Sequence, residues 1–269
     1  MHTGLQSHFA GPIEQDKLVK MAERFEMFRA DIQQLPIDIA REVIDQIESV
    51  SRMPYLTFDT HEQLEALPDG LADVEYQNEV NIGLGRPAPI PALTYRAGFE
   101  KAIEIAARKN IKRIWGGVIA NFDADRDHLW LNQMNFKTLP LTVGATQVCC
   151  SAHHYTDGVH FEDVRPGFST REAEIEWFRA AIGWNRIWGI SECGYNGLSD
   201  GDYAHEMTKE WKFFDYENAF MLIQYQIRDA PPGLDDAFGI YTHDGQLKQA
   251  VFDAVPKRSK LPHQCRSEV

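Results

Sequence analysis

Apolar and polar positions in this chain switch repeatedly between two periods. Short runs with strand character fall at residues 4–9, 26–32, 54–59 and 72–79, and again at 112–120, 146–151, 186–191 and 221–227. Between them lie runs with a helical period, at 16–25, 37–51, 62–67, 93–109, 127–134, 171–183, 206–219 and 246–255. The clearest helix is the second, in which Ile39, Val43, Ile44 and Ile47 gather on one face. The stretch 83–91 carries Gly83, Gly85, Pro87, Pro89 and Pro91, which is too broken for regular structure. Eight strand–helix units in one uninterrupted run predict an α/β chain folded as a single (β/α)8 TIM barrel over residues 1–256. Residues 257–269 are basic and polar and are expected to form a C-terminal surface tail. A doubly wound sheet is the alternative, but it usually has fewer strands and a glycine-rich first turn.

Composition narrows the function. Apolar residues make up 43% of 269, enough for a full core. The formal charge is -13, from 40 acidic and 27 basic residues, so a phosphate backbone would be repelled and no nucleic-acid partner is expected. No apolar run is long enough to span a bilayer, and no basic-then-apolar leader is visible, so no membrane partner is expected either. The cysteines Cys149, Cys150, Cys193 and Cys265 form no Cys-x-x-Cys pair. The histidines form no His-Glu-x-x-His, and no P-loop, Gly-x-Ser-x-Gly or complete dinucleotide loop occurs. No metal or organic cofactor is therefore expected.

Two runs stand apart: Tyr76-Gln77-Asn78-Glu79-Val80-Asn81 and Gly189-Ile190-Ser191-Glu192-Cys193-Gly194-Tyr195. Each ends a strand-like stretch with one glutamate, at the fourth and seventh strands of the count. In a (β/α)8 barrel, reacting groups sit at the C-terminal ends of strands. Two carboxylates placed there, about 5–5.5 Å apart, suit cleavage of a glycosidic bond with retention, one attacking and the other protonating the leaving oxygen. Taken singly, each is as readily an ordinary strand-end carboxylate.

Asn78-Glu79 and Ser191-Glu192-Cys193-Gly194 resemble the fourth- and seventh-strand segments of glycoside hydrolase clan A, the retaining barrel glycosidases. The resemblance implies Glu79 as acid/base, Glu192 as nucleophile and Asn78 as a partner of the substrate's 2-hydroxyl. It also implies Arg29, on the second strand, beside the nucleophile and helping to keep it ionised. His153 and Tyr155 match the clan's His-x-Tyr pattern on the sixth strand, with Tyr155 bonded to the nucleophile and His153 near sugar hydroxyls. His8 and Asn121 are further candidates for sugar contacts.

The eighth strand, Ile223-Gln224-Tyr225-Gln226, departs from the clan by lacking its tryptophan, and Gln224 or Gln226 is the expected replacement. Of the six tryptophans, Trp130 is the best placed to line a cleft. The reading is thus a retaining hydrolase acting on an oligo- or polysaccharide. The alternative is a barrel that binds carbohydrate without cutting it.

Overall fold

Strand β1 (His2–Ser7) pairs in parallel with both β2 (Met27–Asp31) and β8 (Met221–Gln224). From β2 the ladder continues through β3 (Met53–Phe58), β4 (Asp73–Tyr76) and β5 (Arg113–Ile119). It then passes through β6 (Thr146–Tyr155) and β7 (Trp188–Gly194) back to β8, so eight parallel strands close on themselves. Every backbone edge is paired, which is the physical advantage of closure. This computed structural model describes residues 1–7, 14–33, 35–82, 88–122, 126–155, 160–161, 163–164, 167–195, 198–226 and 239–256. His8 and the expected tail at 257–269 lie outside the described residues.

Around the strands run α1 (Gln15–Met21), α2 (Ile37–Ser49), α3 (His61–Ala66) and α4 (Ala92–Arg108). They are followed by α5 (Asp127–Met134), α6 (Arg171–Ile182), α7 (Asp200–Tyr216) and α8 (Gln249–Ala254). Side-chain caps fix several starts. Thr60 forms a reciprocal capping box with Gln63, and Thr170 and Ser199 accept from the amides of Ala173 and Asp202. The Ser199 cap starts α7 six residues before the helix expected from periodicity, because Asp200, Asp202 and the residues after them give no apolar repeat. A two-residue strand, Thr142–Val143, folds antiparallel onto the start of β6 and has no sequence signature of its own.

Strand alternation divides the buried residues into two sets. Leu5, Phe28, Leu56, Val74, Ile114, Ile190 and Leu222 face the helices and are fully buried. Met27, Tyr55, Trp115, Cys149, Met221 and Ile223 fill the base of the barrel as a separate cluster. Gly4 permits this filling, since a Cβ there would lie 2.7 Å from Ile223 Cγ1. Above the apolar plug, the inward positions turn polar: Gln6, Arg29, Glu75 and Ser151 are all completely buried.

Three departures from strict alternation shape the mouth. β4 ends at Tyr76 rather than running to residue 79, and Gln77 and Glu79 adopt left-handed φ angles of 59° and 44°. Such backbone at a non-glycine residue carries a strain on the order of 1 kcal/mol and clusters at working sites. β6 continues through Tyr155, four residues beyond its expected end. On β7 the pairing steps from Ala152↔Ile190 to His153↔Glu192, so Ser191 is a bulge. Ile190 packs outward, and without the extra residue Glu192 would share its face; the bulge turns Glu192 into the barrel.

Candidate active site

The ends of β4, β6 and β7 bring Glu79, His153 and Glu192 together. His153 Nδ1 lies 3.0 Å from Glu79 Oε1 and 3.3 Å from Glu192 Oε2. The nearest oxygens of the two carboxylates and the ring nitrogen all lie within 4.8 Å of one another. Glu79 and Glu192 are 6% and 4% exposed, so each keeps a small accessible edge. The same three residues form the one group of possible metal ligands among those described. Burial works against protonation of His153, but Glu192 and the bond to Glu79 outweigh it, and its proton affinity is raised. A ring nitrogen at these distances from two carboxylate oxygens suits a hydrogen-bond donor serving both.

Glu192 is gripped at both oxygens. Arg29 donates through Nη1 to Oε1, and the Tyr155 hydroxyl donates to Oε2. Burial, and next the Glu192 charge, push the Tyr155 phenol well above its ordinary range, so it stays a donor. Arg29 is itself fully buried and serves several partners. Its Nε and Nη2 reach Glu75 Oε1 at 3.1 and 2.5 Å, and Nη2 reaches Asn78 Oδ1 at 2.9 Å. Asp31 stands 3.5 Å from Nη1 and is held in turn by Gln6 at 2.9 Å and Thr57 at 2.6 Å. Burial lowers a guanidinium's proton affinity, yet Glu75, Asp31 and Glu192 together raise that of Arg29, which remains a cation.

The other candidates fall in different places. The Asn78 carboxamide oxygen faces Arg29, beside the carboxylate pair. Asn121 Nδ2 reaches the backbone carbonyl of Tyr155 at 3.5 Å, while its Oδ1 accepts from Phe122 N at 3.1 Å; it ties the end of β6 to the β5 loop. Gln224 pairs with the outward-facing Leu5 and Cys193, and its amide donates to the Tyr203 hydroxyl on α7, away from the carboxylates. Tyr225, one residue on, has the inward parity of Met221 and Ile223, and its ring meets Tyr155 edge-on at 5.8 Å. The aromatic group at the end of β8 is therefore a tyrosine, in the chain position next to the glutamine read from sequence. Trp130 packs 5.2 Å from Tyr95 and donates to Ile90 O at 2.8 Å, as a core residue between α4 and α5.

Three features went unread in the sequence. Glu75 is completely buried under the site, although acids at 73 and 75 on an apolar strand already mark a charged inner face. Asp127, at the start of α5, receives Asn81 Nδ2 and the amide of Asn121 and so ties the β4 and β5 loops together. Behind β6, His154 donates from Nδ1 to Glu210 at 2.7 Å, and Arg171 Nη1 donates to its Nε2 at 2.9 Å. A guanidinium can donate only to a ring nitrogen bearing a lone pair, so His154 is neutral. Burial, outweighing Glu210, lowers its proton affinity and agrees with that reading.

No protein-family profile matches the sequence, and no curated protein matches it. Solved structures do. An endo-β-1,4-glucanase from Xanthomonas axonopodis pv. citri aligns with TM-score 0.63 and 8% identity, over 94% of this chain and 98% of that one. Cel5A (EG2) from Hypocrea jecorina aligns with TM-score 0.64 and 11% identity, over 96% and 98%. A subgroup VI GH128 exo-β-1,3-glucanase from Aureobasidium namibiae aligns with TM-score 0.63 and 9% identity, over 94% and 95%. Over nearly its whole length, this chain shares its single (β/α)8 barrel with glycoside hydrolases that act on β-glucans.

Proposed function

We propose that this protein is a retaining glycoside hydrolase in which Glu192 is the nucleophile and Glu79 the acid/base. The observation that carries the reading is the carboxylate pair. Glu79 and Glu192 flank one imidazole with their nearest oxygens within 4.8 Å. That is the short separation of double displacement, where inversion needs about 6.5–9.5 Å to admit a water. The β-glucanases that share the fold make β-glucosidic oligo- or polysaccharides the first substrates to test.

In the first step Glu192 attacks the anomeric carbon, forming a glycosyl ester, while Glu79 gives its proton to the departing oxygen. Arg29 and Tyr155 hold the two Glu192 oxygens in place, so little reorganisation is left for the reaction. His153, 3.0 Å from Glu79 Oε1, holds that carboxyl group in place beside Glu192. In the second step Glu79 accepts a proton from water, which attacks the same carbon and releases Glu192. Asn78, oriented by Arg29, is assigned to the sugar's 2-hydroxyl, and Tyr225 to the aromatic wall beside it.

The test is direct. Glu192→Gln should abolish turnover of 2,4-dinitrophenyl β-cellobioside and β-laminaribioside, and a 2-fluoro analogue should label Glu192 in the parent. Glu79→Ala should recover turnover of these activated substrates when azide is added. Parental turnover in the Gln variant would end the assignment.

A further inference from the structure

Each carboxylate oxygen of Glu75 accepts two hydrogen bonds in the buried interior of the barrel. Its Oε1 accepts Arg29 Nε and Nη2 at 3.1 and 2.5 Å, and its Oε2 accepts the Tyr55 hydroxyl at 2.6 Å and Ser151 Oγ at 2.8 Å. Four donors from β2, β3 and β6 thus converge on one carboxylate of β4, completely out of solvent. The two bonds on Oε1 come from one edge of the guanidinium, leaving Nη1 aimed at Glu192 and the second Nη2 hydrogen at Asn78. An arginine side chain has several rotatable bonds, and a planar fork held along one edge loses that freedom.

We propose that Glu75 is a positioning residue for glycosyl transfer, fixing the Arg29 guanidinium so that it presents one hydrogen to Glu192 and another to Asn78. Resting on the hydrolase reading above, the inference adds a residue that neither touches substrate nor belongs to the reacting pair. The Tyr55 and Ser151 hydroxyls belong to the same device, because they hold the far oxygen of Glu75. The device also divides Arg29's charge. Glu75 and Asp31 each take a share, so Glu192 is held in place without having Arg29 as a private counter-ion.

Glu75→Gln tests this with little change of shape. One amide oxygen can still face Arg29, and the amide hydrogens can meet the Tyr55 and Ser151 oxygens, but the charge-assisted grip is lost. With 2,4-dinitrophenyl β-cellobioside and β-laminaribioside, kcat should fall about ten- to a hundredfold, the effect expected of a displaced group near the reaction. KM should stay within about threefold, since the interaction acts in the transition state. In 15N-arginine-labelled protein, the Arg29 Nε–H resonance, assigned by its loss in Arg29→Lys, should leave its parental position while other arginine signals stay.

A Gln variant with parental kcat, or an unmoved Arg29 signal, overturns the proposal. Should that variant not fold, Tyr55→Phe removes a single donor and should lower kcat about threefold; parental kcat there overturns it equally. A parent that leaves both glycosides intact fails the hydrolase reading and this inference with it. A working parent with an equally working Gln variant fails this inference alone.

Discussion

Arg171 offers the sharpest test of what holds the back of the site. It sits at the first position of α6 and donates to Glu174 at 2.8 Å, to His154 Nε2 at 2.9 Å and to Phe161 O at 2.7 Å. Glu174 and Glu210 beside it are 1% and 0% exposed. With His154 neutral, Arg171 is a cation bonded into a cluster that holds two carboxylates. Arg171→Met fills similar volume but takes the guanidinium away from Glu174 and from His154 Nε2, and breaking a buried pair this way costs about 3–5 kcal/mol. For a chain of roughly this size the melting temperature should drop by about 6–20 °C. The double variant Arg171→Met with Glu174→Leu removes the carboxylate of that pair as well, and should lie within about 1–2 kcal/mol of the parent. The residue of that deficit is the lost bond to the Phe161 carbonyl. Thermal unfolding by circular dichroism at pH 7.5 reads both. A double variant no more stable than the single one would refute the charge argument.

The two adjacent histidines on β6 should move stability in opposite directions with pH. The His154 proton affinity is lowered on folding, chiefly by burial, so its contribution is complete above the ordinary value of 6.5 and is lost as pH falls through the lowered one. That of His153 is raised, so its contribution is present below 6.5 and is lost as pH rises through the raised value. His154→Gln should flatten the acid-side decline in melting temperature between pH 7 and about 5; an unchanged slope would count against the neutral, buried imidazole. Ser51 is exposed and takes a φ of 57° just after α2, so Ser51→Gly should raise stability by about 0.5–1 kcal/mol in urea titrations. Gly117 has a φ of 70° and would place a Cβ 2.8 Å from the Phe136 ring, so Gly117→Ala should cost about 1–3 kcal/mol by the same measurement.

The order of strands and helices, and the barrel they close into, could be read from the sequence because periodicity is local. Apolar spacing reports which segments need a covering layer, and eight alternating segments leave few ways to provide one. Glu79 and Glu192 stood out as candidates for a related reason, since a charge ending an apolar strand is unusual when it occurs twice at matched strand ends, and the fold does bring the two together. What only tertiary structure decided is which way the side chains point. Glu192 shares parity with the outward Ile190 and enters the barrel only through the Ser191 bulge, a property of pairing with β6. Met221, Leu222 and Ile223 are apolar at both parities, so β8 gave no hint that Tyr225, and not Gln224, turns inward. Glu75 and Arg29 sit 46 residues apart, and their bond exists because β2 and β4 both contribute inward side chains to one narrow interior. Local pattern sets the elements; register, bulges and closure set the chemistry, since only they bring distant residues within hydrogen-bond reach.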